Sequence, residues 1–206
     1  MTFSSRTEAG QKLGRLLQHQ QIAADLVLGL PRGGVVVAAE VAQILRLPLD
    51  VLIVRKIGHP WNREFAVGAL AEDGTVVLDS LHPGIDMDAL EAVIAEEKQR
   101  LEDYRAKYHR PSQPALKDQR VMIVDDGLAT GATTEAAVRS ARKQAAAQVI
   151  VAVPVASTSA VHRLRSVADQ VIAVLVDPAF MAVGQYYRVF DQTTDEEVRQ
   201  ALNPEP

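Results

Sequence analysis

The chain has 206 residues, an ordinary globular composition (48% hydrophobic, 23% charged) and a net charge of −4. That length suits one α/β domain, and the acid excess gives no support to nucleic-acid binding, which requires a basic face. With no cysteine, disulfides, thiolate catalysis and cysteine-ligated zinc are excluded. The first ten residues are polar, and no apolar run reaches the ~18 residues of a membrane span. A soluble, cytoplasmic protein without a membrane partner is the expectation.

Residues 1–20 lie outside any strand–helix rhythm. The first apolar run is Asp25–Leu30, followed by the turn Gly29-Leu30-Pro31-Arg32-Gly33-Gly34 and a helix over Gly34–Leu45. Paired glycines at a strand-to-helix turn let backbone amides face an anion, and Arg32 adds a charge that can grip a phosphate through two hydrogen bonds. An ordinary tight turn has the same composition. The second run, Leu49–Val54, ends in Arg55-Lys56, cations at the end of a strand where open α/β sheets bind ligands.

Residues 56–80 break the rhythm and read as a loop followed by a hairpin. The segment Gly58–Glu64 (GHPWNRE) is a candidate lid or a plain surface loop anchored by Trp61. Residues 86–109 form a charged helix, a solvated face or part of a subunit contact. Pro111 and Pro114 mark a connector.

The third run, Arg120–Val124, ends in Asp125-Asp126 and enters the small-residue loop Gly127-Leu128-Ala129-Thr130-Gly131-Ala132-Thr133, then a helix over Ala132–Ala147. This arrangement suits a sugar phosphate. A helix N-terminus offers free N–H groups and a positive dipole end, the glycines and alanines admit a close approach, and threonine hydroxyls add hydrogen bonds. Two carboxylates at a strand end can accept from ribose hydroxyls. The residues alone leave open a bland strand–loop–helix turn capped by Asp and Thr. Neither GxxxxGK[ST] nor GxGxxG occurs. Runs Gln148–Val155 and Gln170–Val176 flank a helix over Thr158–Val167. Five near-continuous apolar runs alternating with helices predict a doubly wound, mainly parallel five-stranded sheet. In the order 2-1-3-4-5, the turns after the first and third strands would meet at the switch point. The remaining tail, 177–206, falls outside the alternation. His19, His82, His109 and His162 show no paired ligand spacing and read as surface residues.

Residues 121–133 resemble the signature by which type I phosphoribosyltransferases bind phosphoribosyl pyrophosphate (PRPP): an apolar strand, two acids, three variable residues, then Thr-Gly-x-Thr. The resemblance covers about residues 22–176. It implies a single domain over 1–206 with a small hood from residues 1–20 and 177–206. It gives Asp125 and Asp126 the ribose hydroxyls, Gly127 and Ala129, Thr130, Gly131, Ala132 and Thr133 the 5′-phosphate, and Arg32, Gly33, Gly34, Arg55 and Lys56 the pyrophosphate. It also implies a non-proline cis peptide at Pro31–Arg32, Mg²⁺ carried through PRPP rather than by direct protein ligands, and a homodimer. The tail around Phe180 is similar to the stretch of 6-oxopurine enzymes where a phenylalanine stacks on the base; the alternative is that Phe180, Tyr186 and Tyr187 are packing residues that close the hood. Those enzymes, however, have an Asp where this chain has Ala129, as adenine- and uracil-type enzymes do, so a 6-oxopurine acceptor is disfavoured. The activity implied is transfer of ribose 5-phosphate to a nitrogenous base. The alternatives are a PRPP-binding regulator without catalysis, or a phosphate hydrolase whose Asp125-Asp126 hold metal directly.

Overall fold

The computed structural model describes residues 2–79, 84–109 and 114–203. His82 and Pro111 lie outside them. The central sheet contains β1 (Leu26–Gly29), β2 (Leu49–Val51), β6 (Arg120–Val124), β7 (Gln148–Ser157) and β8 (Gln170–Asp177). All pairings are parallel, in the order β2-β1-β6-β7-β8. This is the expected 2-1-3-4-5 arrangement of five core strands.

Alternation along each strand explains the two layers. Val27, Met122, Val124, Ile150 and Ala152 face a core built with Leu13 and Leu17 of α1 (Arg6–His19) and Val37, Ala38 and Val41 of α2 (Gly33–Leu45). Their neighbours Leu26, Leu28, Val121, Ile123, Val149 and Val151 face Ala136, Ala137 and Ala141 of α4 (Ala132–Lys143) and Ala160 and Leu164 of α5 (Thr158–Arg165). Burial on both faces is why these strands read as unbroken apolar runs. The edge strand β8 departs from this: Val171–Leu175 are only half-buried, because one side has no neighbouring strand.

The run 49–54 is not one strand. Pairing with β1 closes at Leu52, whose N–H donates to the Gly29 carbonyl (3.2 Å), while Ile53 is taken by Glu72 from another sheet (Glu72 N–H to Ile53 O, 3.0 Å). The chain then forms an antiparallel sheet of β3 (Val54–His59), β4 (Asn62–Ala71) and β5 (Val76–Leu78). So residues 56–64 are not a loop before a hairpin; they are the hairpin's upper half, turning at Pro60-Trp61. Helix α3 (Met87–Tyr108) lays Leu90, Val93, Leu101 and Tyr108 over Ile53, Ile57, Val67 and Leu70 of this sheet. Its charged residues form the outer face, except Glu97, which is buried.

The chain ends contain two helices outside the sequence reading, α1 and α6 (Asp195–Leu202). Both begin with a Ser/Thr-x-x-Glu pattern, Ser5 to Glu8 and Thr194 to Glu197, and both caps form. Helix α1 is part of the sheet's covering layer. Gly10 and Gly14 let it press on α2: a β-carbon at Gly10 would lie 2.7 Å from the Val37 carbonyl oxygen. The ends meet where Phe3 bridges Tyr187 (Phe3 N–H to Tyr186 O, 2.7 Å; Arg188 N–H to Phe3 O, 2.8 Å). Among the described residues no helix is long and apolar enough to cross a membrane.

Candidate functional site

The two glycine-containing turns lie side by side. β1 and β6 are adjacent, and their ends are tied by the Leu30 N–H donating to the Val124 carbonyl (3.0 Å). The Pro31–Arg32 peptide is cis. Just beyond it, Gly33 and Gly34 start α2 against the paired acids. A β-carbon at Gly34 would stand 2.8 Å from Asp125 Oδ1 and 2.9 Å from the Val124 carbonyl oxygen. One at Gly33 would collide with Asp126 Oδ2 and lie 2.6 Å from Arg6 Nε. Only residues without side chains fit between the turn and the acids.

Beyond the acids, the loop is fastened to β7. Leu128 exchanges backbone hydrogen bonds with Val155 and Ser157, and the Ser157 hydroxyl donates to the Ala129 carbonyl (2.6 Å). Gly127 is held against Val183: a β-carbon there would lie 2.7 Å from Val183 Cγ1. Gly131 takes φ +77° as the N-cap of α4, a left-handed conformation natural to glycine. The Ala132 N–H reaches the Thr130 hydroxyl at 3.4 Å. The N–H groups of Thr130, Gly131, Thr133 and Thr134 have no acceptor among the described residues, leaving an anion-ready helix terminus.

The acids carry the strongest electrostatics. Burial, then the neighbouring Asp126 charge, pushes the Asp125 carboxyl well above the usual aspartate range. Burial also raises Asp126, opposed by Arg6. Arg6 Nε donates to Asp126 Oδ2 at 2.8 Å, and the two side chains are 14% and 16% exposed. Tyr187 donates its hydroxyl to the Asp126 carbonyl (2.6 Å). Burial, then the charge of Asp126, raises the Tyr187 phenol.

Arg55 and Lys56 are on β3 of the second sheet, not at the end of β2. They still reach the crevice, because β3 runs alongside the first turn. A cavity of about 620 Å³ is lined by Pro31, Arg55, Lys56, Arg63, Glu97 and Thr133, among others. Arg55 Nε donates to Glu97 (2.9 Å) beneath the Tyr104 ring, and Lys56 Nζ donates to the Glu64 carbonyl (3.0 Å). Arg32 approaches Asp195 (3.6 Å), which also accepts from Lys107 (2.8 Å) and Tyr108 (2.5 Å). A groove of about 700 Å³ between α2 and α6 contains none of the candidate residues.

On the tail, one face of the Phe180 ring is stacked on Tyr186 (centroids 5.2 Å, 21°). Trp61 does not anchor the 58–64 segment; it is 67% exposed at the hairpin tip, 5.7 Å from the His59 ring. His109 is not a free surface residue either. It pairs with Glu72. Arg6, Glu97 and Asp195 belong to the site's surroundings and escaped sequence reading. The capping patterns signalled the helices that carry Arg6 and Asp195, but nothing local signals a partner 120 residues away.

This is a doubly wound α/β protein with paired acids and open backbone amides at its topological switch point. Residues 7–187 match the Phosphoribosyl transferase domain, and the chain belongs to that family. It is 45% identical over 200 residues to a Mycobacterium tuberculosis protein called "Putative phosphoribosyl transferase", covering 95% of this chain and 45% of that one. The chain thus spans about half the length of the M. tuberculosis relatives it matches. It is 31% identical over 151 residues to an adenine phosphoribosyltransferase of Mycobacterium avium, covering 73% of this chain and 66% of that protein. The crystal structure of TT1426 from Thermus thermophilus superimposes with a TM-score of 0.79 at 45% identity over 98% of both chains.

Proposed function

We propose that this chain transfers ribose 5-phosphate from PRPP to a nitrogenous base or related acceptor, releasing pyrophosphate. The observation that carries this reading is the meeting of Gly33-Gly34 with Asp125-Asp126 next to the open amides of Thr130, Gly131, Thr133 and Thr134. A pentose with phosphate groups on both sides has the matching chemistry. The amides of the 127–133 loop would take the 5′-phosphate, and Asp125 and Asp126 the ribose hydroxyls. Arg32 with Gly33 and Gly34, and Arg55 and Lys56 across the cavity, would take the pyrophosphate.

In the reaction the bond from the anomeric carbon to pyrophosphate breaks, and a bond to the acceptor nitrogen forms with inversion. The acceptor's proton leaves with solvent or product. Positive charge grows on the sugar as the bond breaks, and a charged carboxylate beside it favours that charge. Cations around the leaving group lower the cost of its departure. Mg²⁺, when bound, would neutralise charge on the departing pyrophosphate. In this reading Mg²⁺ comes in with PRPP rather than on direct protein ligands.

The acceptor we favour is a ring nitrogen of an aminopurine-like base. Ala129 in place of an acid supports it, as does the identity to an adenine phosphoribosyltransferase. Phe180 remains our candidate for contact with the base. A cytoplasmic homodimer is the setting proposed with it. Calorimetry with Mg-PRPP and a pyrophosphate-release assay over a panel of bases tests the reading. Binding that disappears in Asp125→Asn/Asp126→Asn is expected, as is release with one class of base. No binding by the intact protein would refute it, and binding without release for any base would make the chain a PRPP-responsive regulator.

A further inference from the structure

Two adjacent carboxylates recessed at the bottom of a crevice repel each other, and each loses hydration. Something must keep at least one charged if the pair is to accept hydrogen bonds from a sugar. Asp126 is faced by Asp125 in its own turn, by Arg6 at the start of α1 and by Tyr187 from the C-terminal segment. Of these only Arg6 is a cation in contact. Its placement is fixed from several sides. The guanidinium lies 4.1 Å over the Phe190 ring, and its Nη1 donates to the Asp191 carbonyl (2.8 Å). It also lies within the electrostatic reach of Glu197 on α6. Gly33 leaves the room in which Arg6 Nε and Asp126 Oδ2 meet.

We propose that Arg6 is a positioning residue for the sugar-binding step: it holds the Asp126 carboxylate charged and fixed in direction, so that ribose hydroxyls meet a preset acceptor. This rests on the sugar reading given under the proposed function. It also gives the N-terminal segment a specific task. Residues 3–6, pinned to 186–191, deliver a cation to the paired acids at the end of β6. The opposite directions in which burial and Arg6 drive the Asp126 carboxyl agree with this.

The test is a carbon-detected carboxyl titration of Asp125 and Asp126 in the full chain, with Mg-PRPP affinity followed against pH by calorimetry. In the intact protein Asp126 should titrate below Asp125. Arg6→Gln should raise the Asp126 titration, weaken Mg-PRPP binding ~10-fold at pH 7 through loss of a charge-assisted contact, and move the acid limb of binding to higher pH. Arg6→Lys should recover the Asp126 titration, because it restores the charge. An unchanged titration and pH profile in a folded Arg6→Gln protein overturns the proposal. If Arg6→Gln does not fold, Phe190→Leu, which removes the ring under the guanidinium, must shift Asp126 in the same direction. No shift there also overturns it. Titrations as stated in a chain that binds no PRPP would refute the proposed reaction while supporting the charge-holding role of Arg6.

Discussion

Gly34 sits directly against Asp125, so that a β-carbon at position 34 would fall 2.9 Å from the aspartate Cα as well as 2.8 Å from its carboxylate. The obstruction is backbone, which cannot swing away. At Gly33 the obstruction is the end of the Asp126 side chain. The two neighbouring glycines therefore do different jobs.

Gly34→Ala should lower stability by about 1–3 kcal/mol through overpacking. Gly33→Ala should cost less stability but displace the Asp126 carboxylate and weaken Mg-PRPP binding. Thermal denaturation and calorimetry on both variants separate the effects. Equal losses in both measurements would contradict the distinction.

Asp125 gives a pH signature. Its carboxyl binds a proton more tightly in the folded chain than in the unfolded one, because of burial and the Asp126 charge. Ionising it therefore costs stability, and the cost appears as pH rises from the ordinary aspartate value of about 4 through the raised folded value. Asp125→Asn removes the cost. Its melting temperature should exceed that of the parent at pH 8 by more than at pH 4, while Mg-PRPP affinity falls ~10-fold or more. A variant less stable than the parent at pH 8 would show that the acid is not held against its own ionisation.

Arg163 joins three elements. Its Nε donates to Glu135 of α4 and its Nη1 to Asp79 just after β5, each at 2.5 Å. The Glu135 side chain is only 9% exposed, so Arg163→Met strands a recessed carboxylate, although Arg139 still pairs with it. A loss of about 2 kcal/mol is expected, below the usual figure for a buried pair because Arg163 is a quarter exposed. Chemical denaturation measures it, and Glu135→Gln in the same background should recover part of the loss.

Trp61 is the sole tryptophan of the chain and stands in solvent at the β3–β4 tip. If the tip folds over the crevice when Mg-PRPP binds, its emission should shift to shorter wavelength. Emission that stays constant at saturating ligand would show that the tip stays clear.

The order of the core strands was legible because parallel strands covered on both faces leave continuous apolar runs, and because the turn after Val124 is local in sequence. The break after Val51 was not. Ile53 and Val54 are as apolar as a continuing strand, and only distant partners, Glu72 for Ile53 and Ala71 for Val54, draw them into another sheet. For the same reason the sequence reading puts Arg55 at the end of the wrong strand. Arg6 shows the outer limit of such reading. Its meaning comes from Asp126, Phe190 and Asp191, none of which is near it in the chain.

Val183 rests on Gly127 with no room for another atom between them. If the tail covers the acceptor and the 127–133 loop holds the 5′-phosphate, as proposed, the roof of the one and the floor of the other are one shared wall. A base that lifts the roof would loosen the loop beneath, and a phosphate that tightens the loop would draw the roof down. On this geometry the two ligands would arrive and leave in a preferred sequence rather than independently.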